Sequence, residues 1–199
     1  LIHYVAPTVW AWSPGRARKL AALLDHLLVL LPFEPAAFER AGLSCSFVGH
    51  PVTEGGAGGG DGAAFLARHG IDGAAPLVSV LPGSRTGEIG RLLPPFADAV
   101  AILKDRFPDM AVTIPAVPEH AARIEALCEN WPVAPHIVTG EAEKFDAMAA
   151  SDTAMAASGT VALELALARV PTVIAYRLHP LTWAVASRMV RVDYVNIVN

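Results

Sequence analysis

Short apolar runs punctuate the chain at Ile2–Val5, His26–Leu31, Ser44–Val48, Leu77–Leu81, Ala111–Ile114, His136–Val138, Thr153–Ala156 and Thr172–Ala175. Most of them lack the alternation of polar and apolar positions that a half-solvated strand shows. They read as strands of a sheet covered on both faces. The segments between them have helical character. Phe96, Val100, Leu103 and Phe107 recur at helical spacing, which predicts an amphipathic helix over Phe96–Phe107. Pro94 and Pro95 suit the start of that helix better than its interior. Repeated alternation of strand and helix predicts an α/β fold with doubly wound parallel sheets.

Composition narrows the function classes. Apolar residues make up 53% of the 199 residues and charged residues 17%, and the mean hydropathy is +0.42. Disorder needs the opposite balance. A net charge of −4 excludes a basic nucleic-acid binder. No uncharged apolar run of about 18 residues is present, so no transmembrane helix is predicted. The apolar surplus is therefore buried internally or covered by something outside the chain. The chain opens at Leu1 directly into a strand-like run and closes in Tyr194–Asn199 without a polar tail. It reads as a piece of a longer protein. Cys45 and Cys128 form no pair motif and read as two buried free thiols in preference to one disulfide. The histidines show no metal-ligand spacing, so no metal site is expected.

One stretch interrupts the alternation. Thr53–Gly62 reads TEGGAGGGDG, a composition of flexible coil. It does not match the dinucleotide fingerprint G-x-G-x-x-G, which makes a dehydrogenase a poor reading. It is expected to be a linker, or else a surface loop, over 53–62, separating a short unit over 1–52 from a larger one over 63–199.

Three segments carry candidate chemistry. Leu81-Pro82-Gly83-Ser84-Arg85-Thr86-Gly87-Glu88 follows an apolar strand, and ligands of open α/β sheets sit beyond strand carboxyl ends. Gly83 permits close backbone approach, Ser84 offers a hydroxyl, and Arg85 a forked cation for phosphate oxygens. The bland alternative is a Pro-Gly turn with a solvated Arg. Ala157-Ser158-Gly159-Thr160 leads a strand into an apolar helix, whose free N–H groups favour an anion. Ser158 and Thr160 can add hydroxyls to a diphosphate. Glu164, one turn after Thr160 on the same face, reads as an acceptor for sugar hydroxyls or as a carboxylate that merely suits the helix dipole. Arg177 follows the strand Thr172–Ala175 and reads as a second anion clamp or a surface ion pair. Trp10 and Trp12 read as packing or as a binding surface. Arg16, Arg18 and Lys19 read as a solvated helix face or a patch for anionic lipid headgroups. His50 reads as structural.

Taken in order, these segments resemble the lipid-A-disaccharide synthase family, inverting glycosyltransferases of the GT-B type. The resemblance rests on His3-Tyr4-Val5-Ala6-Pro7-Thr8-Val9-Trp10-Ala11-Trp12, Leu30-Leu31-Pro32-Phe33-Glu34, Phe47-Val48-Gly49-His50-Pro51, Leu81-Pro82-Gly83-Ser84-Arg85, Ala157-Ser158-Gly159-Thr160 with Glu164, Tyr176-Arg177 and Asp193-Tyr194-Val195. It implies two Rossmann-like domains, the N-terminal one incomplete here: 1–52 as the end of the acceptor-side domain and 63–199 as the UDP-sugar donor domain. It implies transfer of a diacylated glucosamine from UDP to 2,3-diacylglucosamine 1-phosphate (lipid X), giving a β-1,6-linked lipid A disaccharide and UDP. Arg85 and the Ser158–Thr160 turn then hold the diphosphate, Glu164 the ribose, and Asn199 falls at a functional asparagine of the family. No cofactor, metal or nucleic acid is implied. The general base falls upstream of Leu1, so the chain alone is expected to be inactive. Peripheral contact with the cytoplasmic face of the inner membrane and a homodimer through segments beyond Asn199 are further implications. The alternatives are another GT-B UDP-sugar enzyme, such as a UDP-N-acetylglucosamine 2-epimerase, and a non-catalytic nucleotide-binding module.

Overall fold

The structure, a computed structural model, describes residues 1–7, 9 and 14–177. Trp10, Trp12, Asp193, Tyr194, Val195 and Asn199 therefore lie outside the described residues. The described chain forms two compact units, divided between Glu54 and Gly55.

The first unit holds strands β1 (Ile2–Tyr4), β2 (His26–Val29) and β3 (Cys45–Phe47), with helices α1 (Pro14–Ala21) and α2 (Pro35–Glu39) between them. The strands form a parallel sheet in the order β1-β2-β3, with Leu28 beside Tyr4 and Ser46. Leu27 and Val29 of β2 pack with Val9, Ala17, Phe38 and Leu43 into a small core. From the same strand His26 meets the hydroxyls of Ser44 and Ser46 at 2.9 and 3.0 Å. Burial on both faces, expected from the apolar runs, is not met in β1: Ile2 and Tyr4 are 67% and 52% exposed. Parallel strands need helices on both sides to be covered, and β1 lies at the edge of this sheet.

Glu34 explains the Leu30–Glu34 segment. Its buried carboxylate accepts hydrogen bonds from the backbone N–H groups of Leu30 (3.1 Å) and Leu31 (2.9 Å), pinning the turn that follows β2. Arg16, Arg18 and Lys19 stand exposed on α1 around the buried Ala17, as on a solvated helix face. His50 acts locally: its Nδ1 accepts from the backbone N–H of Val52.

The second unit is a five-stranded parallel sheet wrapped by helices. Its elements are α3 (Gly62–His69), β4 (Leu77–Leu81), α4 (Thr86–Arg106), β5 (Ala111–Ala116), α5 (Pro118–Cys128), β6 (His136–Thr139), α6 (Glu141–Ala150), β7 (Thr153–Ala157), α7 (Thr160–Leu167) and β8 (Thr172–Ala175). The strand order is β6-β5-β4-β7-β8. Every residue of β4 is buried. Val78 and Val80 face one way, into a core shared with Ile89, Phe96 and Val100 of α4 and Ile124 of α5. Leu77 and Leu81 face the other way, among residues of α3, α6 and α7 such as Phe65, Ala147, Met148 and Leu165. All the strands expected from the sequence are present, with ends shifted by at most two residues. The buried polar groups are satisfied: Ser79 shares a hydrogen bond with Ser151, and Thr113 donates to the His136 carbonyl.

Two expectations need correction. The helix expected over Phe96–Phe107 begins ten residues earlier, at Thr86, so Pro94 and Pro95 lie inside it. A proline there removes an intrahelical donor and crowds the preceding turn. The carbonyls deprived of partners belong to Gly90 and Arg91, both exposed, so solvent can take them. The apolar stripe Ile89, Leu92, Leu93, Phe96, Val100 runs unbroken through both prolines, and its burial outweighs the local propensity. The Gly-rich run is not free coil throughout either. A Cβ added at Gly60 would lie 2.1 Å from the Phe145 carbonyl oxygen, and one at Gly62 2.7 Å from that of Ala149. These glycines are small because the chain presses on the backbone of α6. Asp61 between them caps α3, its side chain accepting from Ala64 N–H at 2.9 Å. Both cysteines are free, Cys128 buried and Cys45 half-buried. Burial pushes the Cys128 thiol up to about 11.

Gly60→Ala should lower stability by about 1–3 kcal/mol through overpacking, read as a shift in the urea midpoint. Gly15→Ala, where a Cβ meets nothing within 4 Å, is the control and should be neutral or slightly stabilising, since Ala is the better helix residue. A second expectation concerns His136. Burial, and then the neighbouring His69, hold its imidazole below the ordinary value. On acidification through about pH 6.5 the unfolded chain takes up this proton first, so stability falls with falling pH and levels off below the folded-state value. His136→Gln should flatten the difference in midpoint between about pH 8 and pH 5.5; an unchanged pH dependence would remove His136 as its source.

Candidate functional site: a cleft at the reversal of the strand order

The chain builds β4, β5 and β6 outward in one direction and then returns to place β7 on the other side of β4. The loops leaving the carboxyl ends of β4 and β7 must therefore diverge, and a crevice opens between them. A cleft of about 510 Å³ lies there. Its walls come from the loops after β4, β5, β6 and β7, including Gly83–Arg85, Ala116–Pro118, Gly140 and Ser158–Thr160.

The loop after β4 is short because α4 starts at once, at Thr86. Gly83 adopts φ +101°, a conformation that disfavours a side chain. A Cβ there would also lie 2.6 Å from Glu88 Oε2 and 3.5 Å from the Ala157 Cβ. The loop is anchored by its own helix, with the Glu88 and Ile89 N–H groups donating to the Arg85 carbonyl. His120 Nε2 meets the Ser84 carbonyl at 3.1 Å. Across the cleft Gly159 precedes α7, and the Ala162 N–H donates to its carbonyl. Two helix N-termini, those of α4 and α7, thus border one crevice, and each presents N–H groups without intrahelical partners.

The charged side chains lining the cleft are Arg85 and Lys144 against Glu88, Glu141 and Glu164. Arg85 donates to Glu88 Oε1 at 2.8 Å, yet its side chain is 82% exposed. Lys144, in the first turn of α6, donates to Glu164 Oε1 at 2.9 Å, and its Nζ lies 4.5 Å from the centre of the Phe145 ring. Glu141 opens α6, where the helix dipole favours a carboxylate. The arrangement suits a ligand with an anionic part near Arg85 and the two helix N-termini, and hydroxyls near Glu164. Among the described residues, no group of three or more His, Cys, Asp or Glu is placed to hold a metal ion.

The structure brings Gly83, Ser84, Arg85, Ser158, Gly159, Thr160 and Glu164 together in this one cleft, from segments more than 70 residues apart. Arg177 stands exposed just beyond the edge strand β8 and does not line it. Asn199 lies outside the described residues. Lys144 and the loops after β5 and β6 were not foreseen, and Glu88 carried no role of its own. The rule that singled out the ends of β4 and β7, applied to all strands, reaches Ala116–Pro118 and Gly140–Lys144 as well.

Residues 1–199 match the family model described as lipid-A-disaccharide synthetase. The chain belongs to the lipid-A-disaccharide synthetase family. It is 59% identical over 199 residues to the lipid-A-disaccharide synthase of Rhodospirillum centenum, covering all of this chain and 50% of that protein. It is 50% identical over 200 residues to the synthase of Paramagnetospirillum magneticum, covering 51% of it. The chain thus spans about half the length of these relatives of the lipid-A-disaccharide synthetase family. Among solved structures, WaaG, a glycosyltransferase involved in lipopolysaccharide biosynthesis, overlays on 74% of this chain and 43% of its own, with a TM-score of 0.48 and 18% identity. That degree of likeness is too slight to bear on fold or function. Membership of the family does not favour the epimerase reading of the same motifs.

The exposure of Arg85 separates a ligand-binding role from a structural one. Replacing Arg85 with Ala should change stability by no more than about 0.5 kcal/mol, because an exposed ion pair contributes little. A loss several times larger in urea denaturation would make Arg85 part of the scaffold.

Proposed function

We propose that this chain is the UDP-sugar-binding part, with a portion of the acceptor-side domain, of a GT-B glycosyltransferase that makes the lipid A disaccharide. The donor is UDP-2,3-diacylglucosamine and the acceptor 2,3-diacylglucosamine 1-phosphate. The observation that carries this reading is the convergence of Arg85 and the Ser158–Thr160 turn at the N-termini of α4 and α7, facing one cleft. Family membership supports the reaction, and the cleft supports the share of it done here.

Attack by the acceptor 6-hydroxyl on the anomeric carbon, its proton passing to a general base, breaks the bond to the UDP oxygen and inverts that centre. Negative charge then grows on the departing diphosphate. The Arg85 guanidinium, exchanging Glu88 for the phosphate, and the free N–H groups of the two helix termini are donors for that charge, and the backbone donors, being fixed, stabilise the leaving group without reorganising. Glu164, one turn into α7, accepts from the ribose hydroxyls and holds the nucleotide in register. By the family resemblance, Arg177, which stands outside the lining of the cleft, and Asn199 are further contacts for the donor. No metal or cofactor enters this scheme; the cationic and dipolar groups take the role. The acyl chains of both substrates imply work at the cytoplasmic face of the inner membrane, as a peripheral protein. No described helix is long and apolar enough to cross a membrane. A homodimer is part of the same proposal.

The test has two arms. UDP should raise the melting temperature of the chain, and Arg85→Ala should abolish that shift. The 199-residue chain by itself should give no disaccharide. A chimera in which it replaces the matching half of the Rhodospirillum centenum synthase should. A chimera that folds and binds UDP but forms only a lipid-free UDP-sugar product would overturn the proposal.

A further inference from the structure

Glu164 poses a physical problem inside this cleft. The diphosphate end of a nucleotide needs a positive environment, yet three carboxylates line the cleft against two cations. Glu164 has the least exposed carboxylate of any ion pair among the described residues: its side chain is 15% exposed, and that of its partner Lys144 is 25% exposed. A carboxylate so placed is costly unless it is paired and hydrogen-bonded. It also serves a sugar diol only if one oxygen is held fixed while the other faces the cleft.

Lys144 meets both needs. The ammonium is 2.9 Å from Glu164 Oε1, and no described residue hydrogen-bonds Oε2. Its reach is constrained from its own side. The Lys144 N–H donates to the Gly140 carbonyl, so the residue belongs to the first turn of α6, and the Phe145 ring backs the Nζ at 4.5 Å. Gly140, at φ +94°, turns the chain directly from β6 into that helix. Two elements on the same side of the sheet thus present one residue each to a single contact at the cleft wall.

We infer that Lys144 is a positioning residue for donor recognition. It neutralises Glu164, locks its carboxylate through Oε1, and leaves Oε2 to accept from a vicinal diol of the bound sugar nucleotide. Lys144 therefore acts through Glu164 and gives selectivity for the ribose hydroxyls. This inference rests on the proposed UDP site and names the residue that tunes it.

The probes are UDP and 2′,3′-dideoxy-UDP, titrated into the 199-residue chain by calorimetry. Their affinity ratio cancels any general electrostatic effect on the diphosphate. The wild-type chain should bind UDP about tenfold tighter than the dideoxy compound, the expected value of a hydrogen bond to a charged group. Lys144→Met should bring that ratio close to one, as should Glu164→Gln, and the double variant should lower it no further. Lys144→Arg should keep most of the preference. Should Lys144→Met not fold, Lys144→Gln carries the same measurement. A ratio unchanged in the folded Lys144 variant overturns the inference and leaves the UDP site standing. Failure of the wild-type chain to bind UDP overturns the proposed function and the inference with it.

Discussion

The second unit depends on the pairing of β4 on both of its edges. Its neighbours are β5 and β7, both parallel, with Ser79 beside Thr113 on one side and Ala154 on the other. A strand paired twice and buried at all five residues leaves no face or edge for solvent. Its sequence, Leu-Val-Ser-Val-Leu, must then be apolar throughout, and Ser79 is admitted because Ser151 takes its hydroxyl. The connections that leave β4 and its neighbour β7 run in opposite directions along the sheet and cannot share a wall. The gap between them is the cleft. The cleft is therefore a geometric consequence of where the strand order reverses, before any residue in it is considered.

Small residues appear where backbone presses on backbone. Gly60 and Gly62 bring the start of α3 against α6, and this contact helps close the side of the sheet opposite α4 and α5. Around it the polar groups are linked: Asp146 accepts from the Asp61 N–H at 2.8 Å, and Glu143 meets His69 at 2.9 Å. Composition alone cannot separate glycine chosen for freedom from glycine chosen for lack of volume. The same ambiguity explains why TEGGAGGGDG reads as a coil in the sequence and packs as part of a helix pair in the fold.

The strands were legible because parallel strands buried on both faces leave continuous apolar runs that few other elements produce. The loops after β4 and β7 were legible because Gly, Ser, Thr and Arg at a strand end have few structural reasons to be there together. The early start of α4 was hidden by Pro94 and Pro95, since a local rule about proline cannot see that Ile89, Leu92 and Leu93 bury on the same stripe as Phe96. Lys144 was hidden for a different reason. In the sequence it is one charge among Glu141, Glu143 and Asp146 of an ordinary amphipathic helix. Only the fold sets it beside Glu164, 20 residues away.

The two ion pairs of the cleft differ in a way that sets their behaviour. Arg85 and Glu88 are three residues apart on one helix start, and the Arg is almost fully exposed. Such a pair is weak, so an incoming anion can take the guanidinium from Glu88 at little cost. Lys144 and Glu164 sit on different helices and are largely shielded. Separating them would leave a charge partly out of water, which is far more expensive than never having paired them. The exposed pair is thus suited to exchange partners when ligand arrives, while the shielded pair is suited to keep its geometry. One cleft then contains a yielding ion pair and a fixed one, and that division follows from burial alone.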